Sequence, residues 1–325
     1  MKKVIYFMLG IIFVLLIEFC FVNCNFKNNC KKVKILLSTY DGEERFPALI
    51  VDEIIKYAKE NNIEIDYKDA KKSRNIQISD VVNAKKEGYD GVICMPLDEL
   101  AVSKISSEIG DIPLVLLNNN PGKEYLKSNK IIYIGSNEEE AAKIQAEYIC
   151  SKYYNKDYLN IVILEGIKDQ DTTEKRTRAL KNYLRDSNIN VKYVFEDNAD
   201  WKSDKAYEKF NVFLKTKQPF DCIVCNNDAM ALGVCKSYKE NNINFNDHPI
   251  IGIDAAAQAI ESIKNNEIQL TVYQSAAYEG KYSLDSLCMM INGESIDKLS
   301  YSDDECKNIW IPLIKVTKEN ADNFK

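Results

Sequence analysis

The chain has 325 residues, 46% of them hydrophobic in type, which is enough for one large domain or two ordinary ones with buried cores. Lysine and arginine number 43 against 49 aspartates and glutamates, and the formal charge of −6 comes with no basic block, which argues against a nucleic-acid surface. Glycine and proline are sparse, at 12 and 7, and neither low-complexity tracts nor heptad repeats occur.

Lys2 and Lys3 precede an apolar run from Val4 to Ile17, and the segment closes on Asn23-Cys24-Asn25. A charged start followed by roughly 7–15 apolar residues describes a secretory signal, assigned here to residues 1–24. Cys24 resembles the acylated cysteine of a bacterial lipoprotein signal, although Phe21-Val22-Asn23 lacks the small residue that normally precedes it. Val4 to Val22 also approaches the roughly 20 residues of an uncleaved membrane anchor. Conventional cleavage is the third option. All three place the protein outside the cytoplasm, in a periplasm or lipid-anchored on the outer face of the cytoplasmic membrane.

From Val33 onward, β-branched runs alternate with amphipathic stretches. Strands are predicted at 33–38, 63–68, 92–95, 114–117, 131–134, 160–165, 191–196, 221–225, 250–253 and 269–273. Helices are predicted at 46–61, 78–87, 99–109, 138–153, 173–186, 203–215, 228–241, 256–265 and 276–291. In the first helix Leu49, Ile50, Ile54, Tyr57 and Ala58 fall on one stripe. Repeated β-α-β units imply an α/β fold with parallel sheets covered on both faces, and two sheets accommodate the strands better than one. The break falls near Gly135-Ser136. Of the ten cysteines, Cys94, Cys222 and Cys225 fall in strand-like runs and Cys150, Cys235 and Cys288 in helical patterns. They read as free core residues and not as disulfides or a metal site.

Open parallel sheets bind ligands beyond the carboxyl ends of their strands. The residues that follow the strands are carboxylates, amides, one arginine and aromatic rings. They include Tyr40, Asp41, Glu43, Glu44 and Phe46; Asp98; Asn118 to Asn120; Asp169, Gln170, Asp171 and Arg176; Trp201; Asn226 to Asp228; Asp254; and Gln274. Planar carboxylates and amides share paired hydrogen bonds with adjacent hydroxyls, and aromatic faces cover the C–H patches of a sugar ring. Plain structural readings stand beside these: Asn226 and Asp228 as turn or cap residues, Trp201 and Phe46 as packing residues, and Arg176 as a surface residue.

The stretches Leu117 to Pro121, Tyr133 to Asn137, Asn226 to Gly233, Ile251 to Ala255 and Ile311 to Asn320 resemble, in order and spacing, the type I periplasmic binding proteins, most of all the galactose/glucose-binding members. The resemblance covers about Val33 to Phe324. It implies two Rossmann-like lobes, 33–135 plus 275–309 and 136–274 plus 310–325, joined by a three-stranded hinge with a monosaccharide held between them. Phe46 and Trp201 take the stacking positions, Asn118, Arg176, Asn227 and Asp254 match polar contacts in type, and Tyr40 aligns near the cleft. Glu44, Gln170, Thr172 and Gln274 depart from the pattern, standing where it has Asp, His, Asp and Asn, and Asp171 lies beside the altered Thr172. The family's calcium loop is absent around Tyr154 to Asn160.

The resemblance therefore implies a monomeric sugar receptor, with no cofactor, no metal and no catalytic residue. Its partner is an ABC transporter permease or, alternatively, a membrane sensor kinase or chemoreceptor. A transcription regulator of the same core would need a helix-turn-helix in place of the secretory segment. A glycoside-acting enzyme built on Glu44 and Asp254 is the remote alternative.

Overall fold

A computed structural model describes residues 33–187 and 189–324, so Cys24 and the whole secretory segment lie outside the described residues. In chain order the first half runs β1 (Lys34–Thr39), α1 (Arg45–Glu60), β2 (Glu64–Asp69), α2 (Arg74–Val82), β3 (Gly91–Met95), α3 (Glu99–Glu108), β4 (Leu114–Leu117) and β5 (Ile131–Gly135). The second half runs α4 (Glu138–Lys152), β6 (Tyr158–Glu165), α5 (Asp171–Asp186), β7 (Asn190–Asn198), α6 (Ser203–Lys215), β8 (Cys222–Cys225), α7 (Asp228–Glu240), β9 (Ile250–Ile251), α8 (Ala257–Lys264) and β10 (Thr271–Tyr273). The chain then returns through α9 (Ala276–Ile291), β11 (Asn308–Trp310) and β12 (Ile314–Val316).

Two sheets result. The first has strand order β11-β5-β4-β3-β1-β2 with every pairing parallel, and the second has order β7-β6-β8-β9, also parallel. The expected α/β architecture is present. Central strands such as β3 and β4 are buried along their whole length, as strands covered by helices on both faces must be. β2, Glu-Ile-Asp-Tyr-Lys-Asp, alternates charge with apolar residues and forms an edge. The chain passes between the sheets after Gly135, after Tyr273 and after Trp310, and the last of these passages leads into β12, which pairs antiparallel with β10.

Helix starts are fixed by side chains that the sequence supplies. Asp98 Oδ1 accepts from Ala101 N at 2.9 Å to cap α3, and Asn137 Oδ1 accepts from Glu139 N at 3.0 Å to cap α4. Three glutamates in the first turn of α4 complement its dipole. The predicted 78–87 helix is instead α2, beginning at Arg74, because Ser73 caps it through Ile76 N. The short strands β11 and β12 are not among the predicted elements; three residues each, they owe their form to the sheet edge they meet.

Each lobe carries its own core. In the first, Ile35, Leu37, Ile93, Val115 and Ile132 pack under α1 and α9. In the second, Phe210, Phe213, Phe220 and Tyr238 form an aromatic cluster with ring centroids 5.4–6.5 Å apart, seated between α6 and α7. Those helices touch at Gly233, where a Cβ would fall 2.1 Å from Ser203 O. Cys94, Cys222, Cys225 and Cys235 are free and buried, and burial pushes the Cys94 thiol up to about 12, so these behave as core residues.

Candidate ligand-binding cleft

The carboxyl ends of both sheets face one another, and the loops that leave them enclose a pocket between the lobes. Its walls are Glu44, Arg45, Phe46, Pro47, Asn118 and Asn119 from the first lobe and Gln170, Thr172, Arg176, Trp201, Asn227 and Asp254 from the second. With the lobes as they stand the free space is about 30 Å³, room for little more than one water.

Arg176 organises the second lobe's side. It projects from α5 with 4% exposure. Its Nη1 donates to Asn226 O at 2.6 Å, its Nε donates to Glu138, and its Nη1 lies 4.0 Å from Asp254 Oδ1. Glu138, itself 5% exposed, opens α4 directly after the first interlobe passage, so the arginine is tied to the hinge. The guanidinium also sits 5.7 Å from the Trp201 ring centre. Burial pushes the Asp254 carboxyl well above its ordinary range, with the Arg176 charge acting the other way.

Trp201 is held on three sides. Its Nε1 donates to Gln170 Oε1 at 2.7 Å, Arg176 covers its ring, and Gly166 lies beneath it. A Cβ on Gly166 would fall 2.0 Å from the indole, so only glycine leaves the ring its seat. Asn227 Oδ1 caps α7 by accepting from Met230 N at 3.0 Å, while its Nδ2 reaches toward Trp201 O at 3.5 Å. Left-handed backbone gathers here: Asn118 (φ 66°), Asp169 (62°), Asp200 (50°), Trp201 (61°), Asp254 (118°) and Ala255 (52°). Non-glycine residues in such regions cost of order 1–3 kcal/mol each and concentrate at binding and catalytic sites.

On the first lobe, the Tyr40 hydroxyl donates to the Glu44 carboxylate, and burial pushes that carboxyl up to about 7. Asn119 Nδ2 donates to Pro96 O at 2.9 Å, and its Oδ1 accepts from Thr172 Oγ1 at 3.5 Å across the cleft. Arg45 Nη1 donates to Gln258 Oε1 at 3.1 Å and makes a second bridge between lobes.

Glu44, Phe46, Asn118, Gln170, Thr172, Arg176, Trp201, Asn227 and Asp254 thus converge on one pocket. Three expected residues stand apart from its walls. Tyr40 is buried, bonded to Glu44, and lines the adjoining groove instead. Asp171 opens α5 and turns to its own helix, 2.7 Å from Lys175 Nζ, in a groove outside the pocket. Gln274 is 3% exposed, and its Nε2 has no hydrogen-bond partner among the described residues. Arg45, Pro47 and Glu138 were not legible as site residues. The first two adjoin Glu44 and Phe46 in the chain, and Glu138 belongs to an acidic helix start that reads as ordinary capping.

A family model described as a periplasmic binding protein domain matches residues 35–295. The chain belongs to that family. Among its relatives, a putative rhizopine-binding protein of Rhizobium meliloti is 27% identical over 288 residues, covering 87% of this chain and 89% of the relative. The D-galactose/methyl-galactoside binding periplasmic protein MglB of Haemophilus influenzae is 26% identical over 305 residues, covering 90% and 91%. The fold is that of solved members. An ABC transporter solute binding protein of Bacillus halodurans, solved with bound myo-inositol, superposes with a TM-score of 0.80 at 23% identity, covering 91% of this chain and 98% of that one.

Proposed function

We propose that this chain is an extracytoplasmic receptor that binds a polyhydroxylated ligand of the sugar class between its lobes and delivers it to an ABC transporter permease. One observation carries the reading: the indole of Trp201, the Phe46 ring, the Arg176 fork and the amide and carboxyl side chains of Asn118, Asn227 and Asp254 share one interlobe pocket. Rings supply stacking faces for C–H patches, and the polar groups meet outward-pointing hydroxyls. The residues 33–135 plus 275–309 and 136–274 plus 310–325 serve as the two lobes, closing by a hinge over the ligand.

The relatives' ligands, rhizopine and galactose or methyl-galactoside, support a small polyhydroxylated ligand for this chain too. Galactose or glucose is the favoured choice, qualified by Gln170 and Thr172, because a site built on hydrogen bonds rejects a wrong hydroxyl pattern strongly. The donor set lacks a nucleophile paired with a base, and ligand contact accounts for the carboxylates, so binding is preferred to catalysis.

A thermal-shift screen of monosaccharides and inositols against the purified protein tests the reading, since a ligand of the folded state raises the melting temperature by linkage. At least one sugar gives a saturable rise. Trp201→Ala then lowers the affinity for that sugar by more than about tenfold in calorimetry, through loss of a stacking face. Turnover of a glycoside, or no response to any sugar, contradicts the proposal.

A further inference from the structure

The interlobe space does not end at the pocket around Arg176. Beyond Asn119 and Gln170, which line both, it opens into a groove of about 640 Å³. That volume lies within the roughly 300–1,000 Å³ typical of small-molecule sites. One wall comes from the loops after β3 and β4, with Leu97, Glu99 and Pro121. The other comes from the loop and first turn leading into α5, with Ile167, Asp169 and Glu174. Apolar side chains and carboxylates line both walls, with the amides of Asn119, Asn120 and Gln170 among them, so the groove offers hydrogen-bond partners and apolar surface without the stacking rings of the inner pocket.

The junction is lightly closed. Thr172 Oγ1 and Asn119 Oδ1 meet across it at 3.5 Å, the limit of hydrogen bonding, so a ligand oxygen placed there replaces a weak contact and not a strong one. The groove's charge is one-sided. Asp98 is bound by Arg74 and Asp171 by Lys175, which leaves Glu99, Glu124, Asp169 and Glu174 opposed on the groove walls by Lys168. An anionic extension would meet like charge there.

We propose that the cleft, with its lobes parted enough to admit a ring to the pocket around Arg176, accepts a disaccharide, or a glycoside with a sugar-sized extension, one ring lying in that pocket and the uncharged or amine-bearing remainder in the groove. This rests on the sugar-receptor reading and specifies its ligand class.

The test is calorimetry on the intact protein with glucose, galactose, ribose and myo-inositol beside lactose, melibiose, cellobiose, maltose and digalacturonate. The expected result is a neutral disaccharide binding at least about tenfold more tightly than either component sugar, with digalacturonate weaker than the neutral disaccharides. Glu174→Trp and Glu99→Trp place a bulky ring on opposite groove walls at exposed helical positions. Each should abolish the disaccharide's advantage and leave monosaccharide affinity unchanged. Monosaccharide binding with no disaccharide advantage, or an advantage that survives both tryptophans, overturns the groove assignment and leaves the sugar receptor standing. Tight binding of digalacturonate overturns the charge argument. Silence toward every sugar overturns both proposals together.

Discussion

Glu44 shows how a binding residue is tuned by its surroundings. Burial raises its carboxyl from 4.5 to about 7, against the opposing pull of the Tyr40 hydrogen bond and the charges of Lys72 and Arg176. A carboxyl raised in the folded state holds its proton more tightly folded than unfolded. Its stabilising contribution is therefore complete below about 4.5 and is lost as pH rises through about 7. Melting temperature measured without ligand should fall across that window, and Glu44→Gln should flatten part of the fall. An unchanged slope in the variant would show that Glu44 does not titrate there. Asp228, raised by burial to about 7, and Asp254 and Glu279, raised in the same direction, contribute to the part that persists.

At the scale of the element, most site residues are presented by a strand end or a helix start, with Arg176 reaching in from the second turn of α5, and several do structural work in the same place. Asn227 both caps α7 and faces the pocket. Asn227→Ala should lose about 1 kcal/mol of stability together with affinity, whereas Asn227→Ser, which keeps a capping oxygen, should hold the melting temperature while affinity still falls. Equal destabilisation by both would make the residue a cap and nothing more. Much of this scale was legible in the chain alone. β3, β4, β5 and the strands of the second sheet follow from β-branched runs bounded by turn residues, and most helices from a buried stripe. Asp254 and Trp201 were legible because they follow strands. The start of α2 was misplaced because a cap at Ser73 outweighs the apolar spacing that begins later. β11 and β12 carry too few residues for any period to show. Glu138 and Arg45 escaped for another reason: their partners, Arg176 and Gln258, lie 38 and 213 residues away, and no local pattern encodes such a pairing.

For the whole molecule, the decisive feature is that the two sheets present their carboxyl edges to one another while the chain crosses between them three times, after Gly135, Tyr273 and Trp310. Closure of the lobes joins residues that neither lobe holds alone: Phe46 and Asn118 on one side, Arg176, Trp201 and Asp254 on the other. Arg176, bonded to Glu138 at the foot of α4, links the pocket to the first interlobe passage. On the proposed function, a ligand that binds the closed arrangement better than the open one shifts the hinge equilibrium toward it, and the closed shape is what the permease would read. The chain has two tryptophans, of which Trp201 lines the pocket and Trp310 packs against Tyr133. In a Trp310→Phe variant the remaining indole reports on the pocket alone. Titrated with a sugar that raises the melting temperature, its fluorescence should change saturably, with a midpoint matching the calorimetric Kd. A sugar that stabilises the protein and leaves Trp201 emission unmoved would contradict a shared interlobe pocket.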